Sequence, residues 1–143
     1  VHGKSCTCCV HRKGATRAFG GDNPELAGRF AGIGQPVLVP GDMGTSSYVM
    51  AGPREGTNRA FGSSCHGAGR AMSRTEAREK IDPLTVKKDL YEKGISVYET
   101  NEKYLSEEAP LAYKDVEDVI RLTQQTGLAR PVARLRPLIV IKG

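Results

Sequence analysis

The sequence predicts an α+β fold, on three observations. The first 70 residues break into short apolar runs separated by glycine-rich loops, helix signals begin only near residue 73, and strands and helices alternate too little for a doubly wound sheet. The length, 143 residues, allows one compact domain or one piece of a larger one. Apolar runs at 8–10, 36–39 and 48–51 are each closed by Gly or Pro, as short strands are. Cys8 and Cys9 lead into Val10, and free cysteine behaves as a small hydrophobe, so 8–10 reads as a buried strand. Ser73 and Glu76 have capping-box spacing and open the first helix. Asp82-Pro83 supplies an N-cap with proline at the first helical position, Val86 and Leu90 share a face, and Gly94 ends that helix. A strand is expected over 95–98. Lys114 or Asp115 opens a third helix, in which Val116, Val119, Ile120 and Thr123 follow the three-and-four spacing up to Gly127. Residues 135–141, rich in β-branched side chains and interrupted by Pro137, close the chain in extended form.

Composition narrows the class. Hydrophobic residues make up 38%, against roughly 45–50% for a comparable set in globular domains, so a core built by this chain alone is modest. Trp is absent while Gly counts 17, a balance suited to loops that bring backbone amides close to a ligand. No apolar run approaches the roughly 18 residues of a membrane span, and no signal-peptide core is visible, so the expectation is a cytoplasmic protein with no membrane partner. The net charge of +5 is uneven: residues 1–80 carry 11 basic against 6 acidic side chains, 81–118 carry 5 against 10, and 119–143 carry 5 against none. If the two basic ends meet, they form a surface for phosphates; otherwise they are solvated faces.

The densest chemistry lies in Ser63-Ser64-Cys65-His66-Gly67-Ala68-Gly69-Arg70, between a strand and the helix capped by Ser73. Small residues on both sides let the backbone approach a ligand, and the following helix start supplies amides for an anion. A neutral imidazole there serves as base, metal ligand or nucleophile; beside phosphate, the third role means a phosphohistidine or nucleotidyl-histidine. The plain alternative is a loop histidine bonded to backbone. Residues 40–47 (P-G-D-M-G-T-S-S) form a second flexible, hydroxyl-rich loop without the G-K-[ST] ending of a Walker A motif. Arg12, Lys13 and Arg17 crowd a third glycine, a pattern that fits backbone phosphates or a solvated turn. Cys6, Cys8, Cys9 and Cys65 lack the paired spacing of a structural zinc site.

Five ordered blocks carry a resemblance: 11–19 (H-R-K-G-A-T-R-A-F), 34–48 (G-Q-P-V-L-V-P-G-D-M-G-T-S-S-Y), 65–74 (C-H-G-A-G-R-A-M-S-R), 107–114 (E-E-A-P-L-A-Y-K) and 135–143 (L-R-P-L-I-V-I-K-G). Together they resemble the C-terminal part of RtcB-type RNA ligases over nearly the whole chain from Val10 onward. The resemblance implies a GTP-dependent, manganese-assisted enzyme. Such an enzyme joins RNA 3′-phosphate or 2′,3′-cyclic phosphate ends to 5′-hydroxyl ends in tRNA splicing and RNA repair, through a guanylylated histidine matched here by His66.

Carried over by position, Gly67, Ala68 and Gly69 line the guanylate, and Pro40, Gly41, Asp42, Met43 and Ser47 form the second nucleotide loop. Tyr113 lies near the guanine, and Lys142 contacts the nucleotide. Arg12, Lys13, Arg17 and Arg70 are expected phosphate contacts on nucleotide or RNA.

Two departures accompany it. Asp42 stands where the family pattern has a small hydroxyl residue, and a carboxylate near a triphosphate repels it unless a cation intervenes. The family's manganese ligands, an acid, a cysteine and several histidines, lie upstream of this stretch, and His2, His11 and His66 cannot replace them. The expectation is therefore one incomplete domain over 1–143, the nucleotide-binding C-terminal part of a ligase, with metal ligands outside this chain and an archease-type activator as a further partner. The rival readings are a non-catalytic RNA- or nucleotide-binding module using the basic stretches 12–17, 70–78 and 121–136, and a metal or redox module on Cys6, Cys8 and Cys9.

Overall fold

A computed structural model describes residues 7–26, 28–54 and 60–143. The fold is α+β, with seven short strands in three small sheets among the described residues. Strand β1 (Ala15–Arg17) pairs antiparallel with β4 (Ser63–Cys65), placing Ala15 opposite Cys65. Strands β2 (Pro36–Val39), β3 (Ser47–Ala51) and β6 (Arg130–Leu135) form an antiparallel sheet in the order β2-β3-β6, with an irregularity at Val49/Met50 opposite β6. Strand β5 (Ser96–Glu99) runs parallel to β7 (Ile139–Lys142). The helices are α1 (Arg74–Lys80), α2 (Pro83–Glu92), α3 (Lys103–Glu107) and α4 (Val116–Gln125).

The helix signals act as their chemistry requires. Ser73 accepts from the amide of Glu76 at 3.1 Å, Asp82 from Thr85 at 2.8 Å and Asp115 from Glu117 at 2.8 Å, each satisfying an amide that has no partner inside its helix. The Glu76 carboxylate also pairs forward with Lys80 at 2.8 Å, and this bond, with a smaller contribution from the Ser73 backbone amide, lowers its carboxyl below the ordinary value. Residues 8–10 also depart from expectation, because they are not a strand and Cys8, Cys9 and Val10 are exposed. No described strand pairs with them, and an extended segment without a ladder partner has nothing to bury against. Cys6 and His2 lie outside the described residues.

Two cores flank the chain's glycine-rich loops. One gathers Met43, Ile81, Val86, Leu90, Ile95, Leu105 and Val140 between α1, α2, α3 and β7. The other gathers Val37, Val39, Met50, Ala68, Val116 and Ile120 between the three-stranded sheet and α4. Met43 belongs to the first and Ala68 to the second, so the loops 40–47 and 66–70 are anchored on opposite sides of the seam between them. Leu105 is wholly buried, and Leu105→Ala is expected to cost about 2–5 kcal/mol by urea unfolding. A loss under about 1 kcal/mol would show that this core is not close-packed.

Candidate functional site

An open cleft of about 620 Å³ lies along this seam. Pro40, Gly41, Asp42, Met43, Ser47, His66, Gly67, Ala68, Gly69, Arg70, Tyr113 and Lys142, drawn from four separate stretches of sequence, all line it. Arg12, Lys13 and Arg17 do not. Arg12 donates from Nε to Ser63 Oγ at 2.9 Å and from Nη2 to the Phe61 carbonyl at 3.0 Å, while Arg17 donates to Gln35 Oε1 at 3.1 Å and sits over the Phe19 ring. Lys13 is exposed at the bend before β1. A second opening of about 540 Å³ includes Thr45, Lys93, Glu117 and Arg134 in its wall and none of the residues carried over as nucleotide contacts.

His66 follows β4 directly, where successive side chains take opposite faces. Cys65 turns to α4, its Sγ 3.4 Å from Thr123 Oγ1, and His66 opens into the cleft. The imidazole is exposed, and among the described residues no hydrogen bond holds it. That leaves a ring nitrogen available to an incoming electrophile.

The two loops are stitched together by backbone. The amide of Ala68 donates to the Pro40 carbonyl at 3.0 Å, and a Cβ on Gly67 would stand 3.3 Å from that same oxygen. Gly69 takes φ +76°, a left-handed conformation open to glycine, while its carbonyl accepts from Lys114 N at 3.0 Å. The amide of Gly41 donates to Ser47 Oγ at 3.2 Å. Asp42 is turned onto its own loop: Oδ1 accepts from Gly44 N at 2.8 Å and Oδ2 from Thr45 Oγ1 at 2.7 Å. Its carboxylate thus serves as a turn-former, an Asx arrangement that the sequence reading did not anticipate.

Arg70 is drawn into the wall. Its Nε donates to the Met72 carbonyl at 2.9 Å, Nη2 to the Glu107 carbonyl at 2.6 Å and Nη1 to Tyr113 Oη at 3.2 Å, and the guanidinium lies 5.0 Å from the Tyr113 ring centroid. Most of its donors are therefore engaged, which favours a strut over a free phosphate ligand. Glu108 also lines the cleft and was missed from sequence, as does Arg74, which was singled out there only within the basic stretch 70–78. Glu108 accepts from the Tyr113 hydroxyl and stands 3.4 Å from Arg70 Nη1, 3.6 Å from Arg74 Nε and 3.7 Å from Lys142 Nζ. The pairing with Arg70 spans 38 residues, a separation that no local pattern records. The cleft presents three fixed cations, Arg70, Arg74 and Lys142, against the carboxylates of Asp42 and Glu108.

Burial, and then the hydrogen bond to the Glu108 carboxylate, raise the Tyr113 phenol above its ordinary value of 10.0. Tyr48 is raised likewise by burial and by Glu117. In the folded state both phenols keep protons that the unfolded chain releases near that value, so their contribution is complete below about pH 10 and is lost as pH climbs through the raised values. Urea midpoints should therefore fall as pH rises above about 10, and less steeply in Tyr113→Phe. Identical slopes in the two proteins would contradict this.

Among the described residues no three His, Cys, Asp or Glu side chains stand together as a metal site requires, so the described residues do not fit a manganese centre. No described helix is long and apolar enough to cross a membrane.

A family model described as tRNA-splicing ligase RtcB matches residues 1–143. Among curated relatives, the tRNA-splicing ligase RtcB of Archaeoglobus fulgidus is 50% identical over all of this chain and 30% of its own length. The RNA-splicing ligase RtcB homolog 1 of Entamoeba histolytica is 48% identical over all of this chain and 27% of its own length. For the tRNA-splicing ligase RtcB of Thermococcus kodakarensis the figures are 46% and 30%. The chain thus spans 27 to 30% of the length of these three relatives.

Proposed function

Because the chain belongs to the tRNA-splicing ligase RtcB family, we propose that it is the nucleotide-binding part of an RNA ligase in which His66 is the nucleophile. The observation that carries this reading is the unbonded, exposed His66 in a cleft that also collects both glycine-rich loops, Tyr113 and Lys142. A nitrogen of the neutral imidazole attacks the α-phosphorus of GTP, the bond to the bridging oxygen breaks, and pyrophosphate leaves. The product is a phosphoramidate, whose nitrogen is a good leaving group once protonated. An oxygen of the RNA 3′-phosphate then attacks the same phosphorus and releases the imidazole. Last, the 5′-hydroxyl of the second RNA attacks the activated 3′-phosphate, forming the new phosphodiester and expelling GMP. A 2′,3′-cyclic end enters after water has opened it to the 3′-phosphate.

Within this scheme the chain's own groups orient and neutralise. The backbone of residues 67–69 and the loop 40–47 cradle the guanylate, Tyr113 and Lys142 meet the base end, and the cleft's cations offset phosphate charge. Arg12, Lys13 and Arg17 are assigned to RNA backbone beyond the cleft, with Lys13 past the His66 end of β4 by the β1–β4 register and Arg17 at its other end, opposite Ser63. Manganese ligands and the archease-type activator are assigned outside these residues, and the reaction to the cytoplasm. Apolar side chains away from the cleft, Leu38 on β2, Tyr98 on β5 and Val132 on β6, are 70, 64 and 59% exposed, which supports reading the chain as one part of a larger ligase body.

Joining assays test the proposal. The intact protein with GTP and manganese should seal a 3′-phosphate RNA to a 5′-hydroxyl RNA and leave a 3′-hydroxyl and 5′-phosphate pair unjoined. RNA binding with neither pair joined would overturn the ligase reading in favour of a binding module.

A further inference from the structure

Glu108 holds a place in the cleft that the reaction scheme leaves unused. One carboxylate oxygen accepts from Tyr113 and pairs with Lys142, and the other faces Arg70 and Arg74. We propose that Glu108 is a positioning residue for the nucleotide base, fixing Tyr113 and Lys142 in the placement from which they meet the base while Arg70 and Arg74 hold the carboxylate itself. This rests on the nucleotide reading of the cleft.

The physical case is one of preorganisation. A lysine side chain carries rotamer freedom that binding would otherwise have to remove. The pairing of Lys142 with Glu108, whose side chain is only 19% exposed, removes part of it in advance. Tyr113 has two rotatable angles, its hydroxyl is tied at the far end, Arg70 stands over its ring, and the side chain lines the cleft, so it is held in place before a base arrives. Glu107, in turn, faces Arg74 and Arg78 at 3.6 and 2.9 Å and keeps α1 against α3, fixing where Glu108 starts. Glu108 touches no reacting atom in this scheme and acts through its neighbours.

The role makes opposite predictions for the two ends of the nucleotide. Glu108→Gln keeps shape and an acceptor for Tyr113 but drops the charge that holds Lys142, while leaving the cleft more positive. Calorimetry on the intact protein should find GTP bound about tenfold more weakly, with inorganic pyrophosphate bound as well as before or better. In the double variant Glu108→Gln Tyr113→Phe, the loss for GTP should fall short of the sum of the single losses. If both ligands weaken alike, the residue is merely structural and the proposal is overturned; if GTP binding is unchanged, it is overturned as well. Should the unsubstituted protein bind neither ligand, the nucleotide reading itself falls and takes the proposal with it. Glu108→Asp, which keeps the charge on a shorter arm, carries the same comparison if the glutamine variant does not fold.

Discussion

His66→Ala is expected to leave the protein folded and to remove covalent GMP completely. The ring is exposed and bonded to no described residue, so its loss costs the fold little, whereas the proposed phosphoramidate needs its nitrogen. Loss of a covalent nucleophile typically lowers rate by three orders of magnitude or more. Non-covalent GTP binding should persist, since Tyr113, Lys142 and the two loops are untouched. Guanylylated protein at wild-type levels in this variant would place the nucleophile elsewhere.

Gly41→Ala is expected to damage both fold and site. A Cβ there would lie 2.0 Å from the Ser46 carbonyl oxygen and 2.9 Å from Thr45 Oγ1, so backbone must move. The movement would break the Gly41 amide bond to Ser47 and pull on Pro40, whose carbonyl holds Ala68 and through it the loop beside His66. Overpacking of this kind costs about 1–3 kcal/mol and sometimes more. Nucleotide binding should fall with it. Gly127→Ala is the control: that glycine has φ +69° with nothing within 4 Å of a Cβ, so only about 1 kcal/mol of backbone strain is expected and GTP binding should be unaltered. Equal effects from the two substitutions would mean that close packing of the loop is not what shapes the cleft.

Much of this was legible from the chain. The three longer helices carry side-chain caps, and α2 and α4 also run into glycine stops at Gly94 and Gly127, signals complete within four or five residues, and they fold where those signals lie. The three-stranded sheet was half visible: β2 and β3 are apolar runs, but β6, Arg130–Leu135, is charged and mostly exposed and becomes a strand through pairing with β3. Likewise β1 and β4 are three residues each and have no apolar run to reveal them. Helix α3 lacks a side-chain cap bond and exists because Leu105 is buried against the neighbouring helices. At the site, blocks up to 102 residues apart in sequence converge on one cleft, and those blocks were singled out beforehand. What stayed hidden was the pairing inside it: Glu108 with Tyr113, Arg70 and Lys142, and Asp42 with its own loop, since both depend on how a carboxylate turns once the backbone is placed.

The most direct measurement is to incubate the intact protein with α-labelled GTP and manganese and locate any acid-labile GMP by mass spectrometry. The account predicts a single guanylylated residue, His66. GMP on any other side chain, or no covalent GMP from an intact protein that nonetheless joins RNA ends, would contradict it.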